Sequence, residues 1–208
     1  KKKEWHEMLA ASSSRPGGSY VNPSKFFTYL NERMGEDVIV TAGQGVHILY
    51  AYDFLKLKKP RSFLAATNLG AMGFAFPAAL GAKIASRSKR VMAILGDGEF
   101  MMTVHDLETM ARERIGVKLI IVNDNTYRVL YMRQKLQKMG RLIGTQHTNP
   151  DIVRLADSFN IDAISINSDE QIDSAIDFLL KDDSPSILEL VIDPDDMPPL
   201  NLELSSRF

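Results

Sequence analysis

Residues 91–127 constrain the fold of this chain more than any other stretch. They contain two short apolar runs, at 91–95 and 118–122, with a segment of helical character between them. The first run stops at Gly96-Asp97-Gly98, and the second stops at Asn123-Asp124-Asn125-Thr126-Tyr127. Two apolar strands separated by a helix are typical of a βαβ unit, in which both strands are parallel. Asp97 and Asp124 should therefore leave the sheet at one edge, the edge where open α/β sheets bind ligands.

The composition disfavours several classes of function. A chain of 208 residues that is 45% hydrophobic and 25% charged fits one large globular domain with a substantial core. A formal net charge of −1, without a basic stripe, gives no support for a nucleic-acid partner. Cysteine is absent, so disulfides and thiolate metal ligands are excluded, and a cytoplasmic location is expected. The charged amino end lacks a signal-peptide pattern and the longest apolar stretch, 69–82, is too short to span a bilayer, so no membrane association is expected.

Strands and helices alternate along most of the chain. Residues 1–18 end in a run rich in Ser, Pro and Gly, which predicts a linker or the tail of a preceding domain, and residues 19–208 form one predicted domain. Apolar runs predict strands at 38–40, 61–64, 91–95, 118–122, 163–166 and 187–192. Helices are expected between them, among these one at about 46–57 and one at about 127–139. This alternation predicts an α/β fold, a doubly wound, mostly parallel sheet with helices on both faces.

The turn at Gly96-Asp97-Gly98 suits a phosphate and a metal ion. Glycines allow close backbone approach to a ligand, and the amides of Gly98, Glu99 and Phe100 lead into a helix start, where free N–H groups favour phosphate. Asp97 and Asp124 are hard oxygen ligands, and Mg²⁺ takes one or two carboxylates together with phosphate and water. No Walker A lysine motif is present, so a mononucleotide site of that type is unsupported, and a Mg²⁺-dependent phosphate-transfer domain is disfavoured.

These residues resemble a known cofactor motif. Gly96-Asp97-Gly98, about 25 residues and then Asn123-Asp124 resemble the thiamine diphosphate motif of the superfamily that includes acetolactate synthase, pyruvate oxidase and pyruvate decarboxylase. Residues 69–79 resemble that superfamily's cofactor-holding segment, and residues 100–109, 144–145 and 149–156 are also similar to it. The resemblance covers about residues 20–195 and implies the carboxyl-terminal, diphosphate-binding domain.

The resemblance assigns a role to each matching residue. It implies that the Asp97 and Asp124 side chains and the Thr126 carbonyl bind the metal, and that the Gly98 and Glu99 amides hold the diphosphate with help from Gln44. Met72 would lie beneath the cofactor, and the Gly70 carbonyl would accept a hydrogen bond from its 4′-amino group. The full cofactor-binding set is Gln44, Gly70, Met72, Gly96, Asp97, Gly98, Glu99, Phe100, Asp124, Thr126 and Tyr127, of which Asp97, Asp124 and Thr126 would bind the metal.

Several positions depart from the superfamily's pattern. Asn123-Asp124 stands where Asn-Asn is usual, and two carboxylates would neutralise Mg²⁺, which predicts tighter metal binding and a weaker pull on the diphosphate. Arg128 stands where glycine is common, and Gln44-Gly45 replaces a more usual Gln-His. No tryptophan follows the motif, although acetolactate synthases often carry one there. These departures leave the cofactor assignment in place and the substrate open.

The resemblance also implies a partner. The superfamily's catalytic glutamate belongs to a pyrimidine-binding domain that reaches this one across a subunit interface, so no catalytic residue is assigned here beyond the orienting Met72 and Gly70. The leading hypothesis is a thiamine diphosphate- and Mg²⁺-binding domain of a 2-oxo-acid decarboxylase or carboligase, a lyase or transferase most like acetolactate synthase. It would act in a homodimer or homotetramer and be inactive alone. The alternatives are a pyruvate oxidase, with FAD possible in the full-length enzyme, a simple decarboxylase, or a non-catalytic paralogue or assembly subunit.

Some side chains admit an ordinary structural role. Glu99 could be only a helix-start carboxylate. His47 and His147 fit either a wet loop or the wall of an active site, and His105 is expected on a solvated helix face.

Overall fold

The computed structural model describes residues 2–137 and 140–199. Its helices are α1 (Lys2–Ser14), α2 (Pro23–Arg33), α3 (His47–Phe54), α4 (Ala75–Ala85), α5 (Asp97–Met102), α6 (Asp106–Arg112), α7 (Arg128–Gln137), α8 (Ile152–Asp157) and α9 (Ile172–Leu180). Its strands are β1 (Val38–Ala42), β2 (Phe63–Ala65), β3 (Arg90–Gly96), β4 (Val117–Asn123), β5 (Asp162–Ile166) and β6 (Ser186–Val191). A 3₁₀ turn at Asp169–Gln171 precedes α9.

The six strands form one parallel sheet in the order β2-β1-β3-β4-β6-β5. The winding changes direction between β1 and β3, which is where doubly wound sheets bind ligands, at the carboxyl ends of the strands. In the register of β3 with β4, Gly96 lies opposite Val122, so Asp97 and Asp124 follow the two strands at the same edge. The predicted fold class and the shared edge are both confirmed.

Helices cover both faces of the sheet because every central strand buries both sets of alternating side chains. Met92 and Ile94 of β3 belong to a core that includes α2, α3 and α9. Val91, Ala93 and Leu95 of the same strand belong to a second core that includes α4, α6 and α8. Strands buried on both faces read as continuous apolar runs, which explains why they were identifiable in the sequence.

Local signals set the ends of the helices as the sequence indicates. Asn22 caps α2, accepting a hydrogen bond from the Lys25 amide at 3.2 Å, and Pro23 occupies the first turn. Gly35, at φ +79°, follows the carboxyl end of that helix and provides the left-handed conformation required there. Asp151 caps α8 by accepting from the Arg154 amide at 3.0 Å.

The amino-terminal segment is largely helical. Residues 12–14 form the last part of α1. The Asn22 side-chain amide donates to the carbonyls of Ser12 and Arg15 at 2.9 and 2.6 Å, and the Gly17 amide donates to Asp169 at 3.1 Å. Hydrogen bonds therefore fix this segment against the domain, and the boundary between residues 18 and 19 stays a prediction.

One further detail differs from expectation. The segment between β3 and β4 forms two short helices, α5 and α6, because the chain turns at residues 103–105. Helix α7 ends at Gln137, and the expected end near residue 139 lies outside the described residues. Across the described part of the chain, no helix combines the length and apolar character needed to cross a bilayer.

Candidate cofactor and metal site

A cleft opens at the carboxyl edge of the sheet where β1, β3 and β4 end. Gln44 after β1 and Met72 before α4 line one part of it, and Gly96 to Glu99 line another. Asp124, Thr126 and Tyr127 line the part that follows β4. The structure thus brings nine of the eleven residues predicted to bind the cofactor together in one cleft. Gly70 lies beside the Gln44 side chain at the cleft, and Phe100 lies behind the cleft in the core.

Asp97 lies at the bottom of the cleft with only 2% of its surface exposed. One of its carboxylate oxygens, Oδ2, accepts from the Asn125 amide at 3.0 Å and the Asn149 side-chain amide at 2.6 Å. His147 Nε2 lies 3.0 Å from the same oxygen. A carboxylate held through one oxygen by several donors is fixed in orientation, so its other oxygen has a defined direction for a metal.

Asp124 is held differently, through both carboxylate oxygens. Oδ1 accepts from the Thr126 amide at 2.9 Å and from the Thr126 hydroxyl at 2.6 Å. Oδ2 lies 3.4 Å from Nη1 of Arg128, which forms a buried ion pair with it. Burial raises the pKa of Asp124 above its ordinary value; Arg128 and the bonds from Thr126 oppose that shift, and the neighbouring Asp97 carboxylate adds to it.

Arg128 changes the charge expected for the site. Its guanidinium is buried, and Nη2 donates to the Asp193 carbonyl at 3.0 Å. The expectation of a neutral metal cluster counted two carboxylates without this cation. With Arg128 beside Asp124, the extra negative charge has a resident partner.

A short antiparallel bridge with Gln146 sets the direction of the Thr126 backbone N–H and C=O groups. The bridge is closed by hydrogen bonds from the Tyr127 amide to the Thr145 carbonyl at 2.8 Å and from the His147 amide to the Asn125 carbonyl at 3.0 Å. In an extended strand the N–H and C=O of one residue point to the same side. The Thr126 amide points to Asp124, away from Gln146, so its carbonyl faces that side as well.

Glu99 has a role that its position in the chain does not reveal. Its carboxylate is 1% exposed, and Oε1 accepts from the backbone amides of Gly73, Phe74 and Ala75 at 3.0, 3.1 and 3.3 Å. These amides form the amino end of α4, which has no cap from its own side chains. Glu99 is therefore a helix-start carboxylate, but for α4 and not for the helix that contains it.

The second Glu99 oxygen faces β1 and α3. Oε2 lies 3.4 Å from His47 Nε2, within ion-pair range but without hydrogen-bond geometry. A β-carbon at Gly43 would lie 1.6 Å from Oε2, so only glycine fits beside this carboxylate. His47, which fitted two roles in the sequence, is a buried wall of the cleft.

The remaining predicted residues divide by position. Met72 is 38% exposed and lines the cleft, and Gly70, at φ +64°, turns the chain beside the Gln44 side chain. The Tyr127 ring covers Gly98, where a β-carbon would meet it at 2.8 Å. Phe100 is fully buried in the core with α4 and α6, so its side chain does not line the cleft.

Two polar residues near Asp97 were not assigned to the site from the sequence. The Asn149 side-chain amide donates to Asp97, Asn123 and Asn125. His147 packs on the Tyr127 ring with centroids 4.8 Å apart. The sequence allowed His147 as the wall of an active site, and Asn149 lies in the segment 149–156 that resembles the superfamily, but neither signal named a contact.

The donor set fits a metal that is completed by its ligand. In the residues that the structure describes, no group of three or more His, Asp or Glu side chains could hold a metal alone. Two carboxylates and one carbonyl match the incomplete protein shell that Mg²⁺ uses with phosphates. The cleft residues therefore fit a diphosphate–metal cofactor better than a free metal ion.

A family model agrees with this geometry. Residues 43–190 match the family described as "Thiamine pyrophosphate enzyme, C-terminal TPP binding domain". The match spans most of the chain, and the chain belongs to this family. The resemblance to the thiamine diphosphate superfamily is confirmed.

Curated relatives share the family. The chain is 34% identical over 197 residues to the acetolactate synthase isozyme 2 large subunit of Escherichia coli, a match that covers 91% of this chain and 36% of that protein. It is 35% identical over 188 residues to a probable acetolactate synthase large subunit of Methanocaldococcus jannaschii, covering 86% of this chain and 32% of that protein. The matched part is thus about a third of each relative.

A solved structure supports the fold. A thiamine diphosphate-dependent 4-hydroxybenzoylformate decarboxylase of Rhodococcus jostii RHA1 aligns with a TM-score of 0.78, over 88% of this chain and 34% of that one. Its sequence identity of 24% makes it evidence for the fold alone.

Proposed function

We propose that this chain binds thiamine diphosphate and Mg²⁺ within a 2-oxo-acid decarboxylase or carboligase similar to acetolactate synthase. The observation that carries the proposal is the placement of Asp97 and Asp124 at the ends of adjacent parallel strands, facing one cleft with Gln44 and Met72. Family membership and the acetolactate synthase relatives support the cofactor and the reaction class.

Different residues of the cleft would hold the metal and the cofactor. Asp97, Asp124 and the Thr126 carbonyl would hold Mg²⁺, and the amides of Gly98 and Glu99 would hold the diphosphate together with Gln44. Met72 and Gly70 would support the organic part of the cofactor. When bound, thiamine diphosphate supplies the electron sink that 2-oxo-acid chemistry requires.

The chain's own contribution is orientation and exclusion of water. Three donors on Asp97 and the bonds from Thr126 to Asp124 preset the carboxylates, so little reorganisation accompanies binding. Glu99 fixes the start of α4, and with it the Met72 segment, to the metal-binding turn. The two cofactor-holding segments are therefore joined by one buried side chain.

The reaction would require a second domain. Each buried carboxylate of the cleft already accepts hydrogen bonds. Asp97 and Asp124 accept them within the site, and Glu99 accepts them from the amino end of α4. None is free to act as the glutamate that activates the cofactor, so we propose that a pyrimidine-binding domain supplies it within a cytoplasmic oligomer.

Calorimetry tests the site. With the pyrimidine-binding domain present, thiamine diphosphate is titrated with Mg²⁺ into wild type, Asp97→Ala and Asp97→Asn. Loss of a metal-binding carboxylate should weaken cofactor affinity at least about tenfold in both variants. Asp97→Asn keeps the side-chain volume, so it separates the loss of charge from a packing defect.

Asp157→Ala is the matched control because it removes an exposed carboxylate from α8, outside the cleft. It should bind the cofactor as wild type does. Undiminished affinity in both Asp97 variants would contradict the proposed site.

A further inference from the structure

Asp124 and Arg128 form a charge pair at the metal end of the cleft. The Asp124 carboxylate and the Arg128 side chain are each about 5% exposed, and their charged atoms lie 3.4 Å apart. Both residues line the cleft, and Arg128 is the only lysine or arginine among the described residues that do so. The pair is therefore part of the site and not of the protein surface.

Other nearby charges are already engaged. Glu99 faces the amides at the start of α4, and Asp97 accepts from Asn125, His147 and Asn149. Arg128 contacts the Asp193 carbonyl; the Asp193 carboxylate accepts from the Asp195 amide at 2.8 Å, and the Asp195 carboxylate pairs with Lys135 at 2.5 Å. Asp124 is thus the carboxylate that Arg128 neutralises inside the cleft.

The pair has a consequence for a metal–diphosphate ligand. Two carboxylates cancel the charge of a divalent ion and leave no net attraction for the diphosphate anion. A buried guanidinium beside them restores one positive charge, the same net charge as a divalent ion with a single carboxylate. At short range in a poorly solvated cleft, one charge changes anion affinity strongly. The Arg128 Nε atom is buried without a hydrogen-bond partner, so the guanidinium retains unused donor capacity.

We propose that Arg128 is a positioning residue that sets the charge of the metal–diphosphate site by acting as the permanent counter-ion of Asp124. This inference rests on the proposed function. It states that the aspartate and the arginine work as one unit, which makes a second carboxylate compatible with diphosphate binding. If only one of the two residues were present, the net charge of the site would differ by one unit from that of a divalent ion with a single carboxylate.

A double-mutant cycle tests the unit with two probes, Mn²⁺ alone and inorganic pyrophosphate at saturating Mg²⁺. The variants are Arg128→Gln, Asp124→Asn and the double variant, and affinities are measured by Mn²⁺ electron paramagnetic resonance and by calorimetry. Arg128→Gln should tighten Mn²⁺ about tenfold and weaken pyrophosphate about tenfold, since it removes a positive charge. Asp124→Asn should weaken Mn²⁺ about tenfold or more. The double variant should return to within about threefold of wild type for both probes.

The same variants are compared without any ligand. Each single substitution leaves one buried charge without its partner, so each should lower the melting temperature, and the double variant should lose less than the two single losses combined. Arg133→Gln is the matched control because it removes one positive charge from an exposed position on α7. It should leave both affinities and the melting temperature unchanged.

The outcomes separate the inference from the function on which it rests. Additive effects in the ligand-free melting temperatures, or an Arg128→Gln variant that shifts both probes in the same direction, would overturn the inference. A wild-type protein that binds neither probe would contradict the proposed function itself. Opposite shifts of the two probes with recovery in the double variant would support the paired role, which a merely structural arginine would not produce.

Discussion

Removing the Glu99 carboxylate should destabilise the protein through the start of a different helix. Glu99→Ala deletes the acceptor of three backbone amides at Gly73, Phe74 and Ala75. An unsatisfied buried donor costs about 1–3 kcal/mol. The sites of Gly73 and Phe74 are only partly buried, so water can replace part of the loss there. We therefore expect a decrease of about 4 kcal/mol in the free energy of unfolding.

A conservative substitution isolates the contribution of the charge. Glu99→Gln retains an oxygen that can accept the three amides and loses the favourable interaction of a negative charge with the amino end of α4. That interaction contributes about 1 kcal/mol. Glu99→Gln should therefore cost about 1 kcal/mol, far less than the alanine variant.

Urea unfolding monitored by circular dichroism measures both costs, and amide hydrogen exchange locates them. Exchange should accelerate most at Gly73, Phe74 and Ala75, because their acceptor is gone. Glu108→Ala is the control, since Glu108 is exposed and pairs with Arg112 and Thr109 on its own helix. It should cost less than about 0.5 kcal/mol. A Glu99→Ala variant within about 1 kcal/mol of wild type would refute the capping role.

Two further predictions concern neighbouring groups. Gly43→Ala places a β-carbon 1.6 Å from Glu99 Oε2, and it should cost roughly 3 kcal/mol by urea unfolding. In a Glu99→Ala background that cost should fall below about 1 kcal/mol, and an unchanged cost would disprove the clash. Burial raises the pKa of the half-buried Asp53 from 3.8 to about 6, so its stability contribution is complete below pH 4 and is lost as the pH rises past 6. Solvent screening reduces the loss to about 1 kcal/mol, so Asp53→Asn should stabilise the protein by that amount at pH 7.5 and hardly at pH 4; an equal gain at both pH values would argue against this origin.

The sequence was sufficient to predict the sheet and the edge of the sheet at which the candidate site lies. β3 and β4 are apolar runs because both of their faces are buried, and Asp97 and Asp124 follow at their carboxyl ends, where they line the cleft. Parallel pairing then places both carboxylates at one edge without further information. That part of the site follows from patterns within 40 residues of chain.

The contacts between distant segments could not be predicted in the same way. Glu99 caps a helix that begins more than 20 residues earlier, and Asn149 reaches Asp97 from about 50 residues away. Nothing in the pattern of either segment specifies its partner, because these contacts depend on how the helices pack. Arg128 is an intermediate case. Its departure from the superfamily was visible, but its buried pairing with Asp124, which we propose offsets the weaker pull expected on the diphosphate, was not.

The short bridge between Thr126 and Gln146 separates the residues of the cleft from the segment that follows them in the chain. The segment from 128 to 144 is closed at its base by two backbone hydrogen bonds, so the residues of the cleft that precede it do not depend on how many residues it contains. The free energy of closing a loop grows only with the logarithm of its length. Insertions at residues 140–142, which lie beyond α7 and leave Arg128 and Tyr131 in place, should therefore change stability by only fractions of a kcal/mol. The length of the chain at these positions can therefore vary while Asp97, Asp124 and Arg128 keep their places.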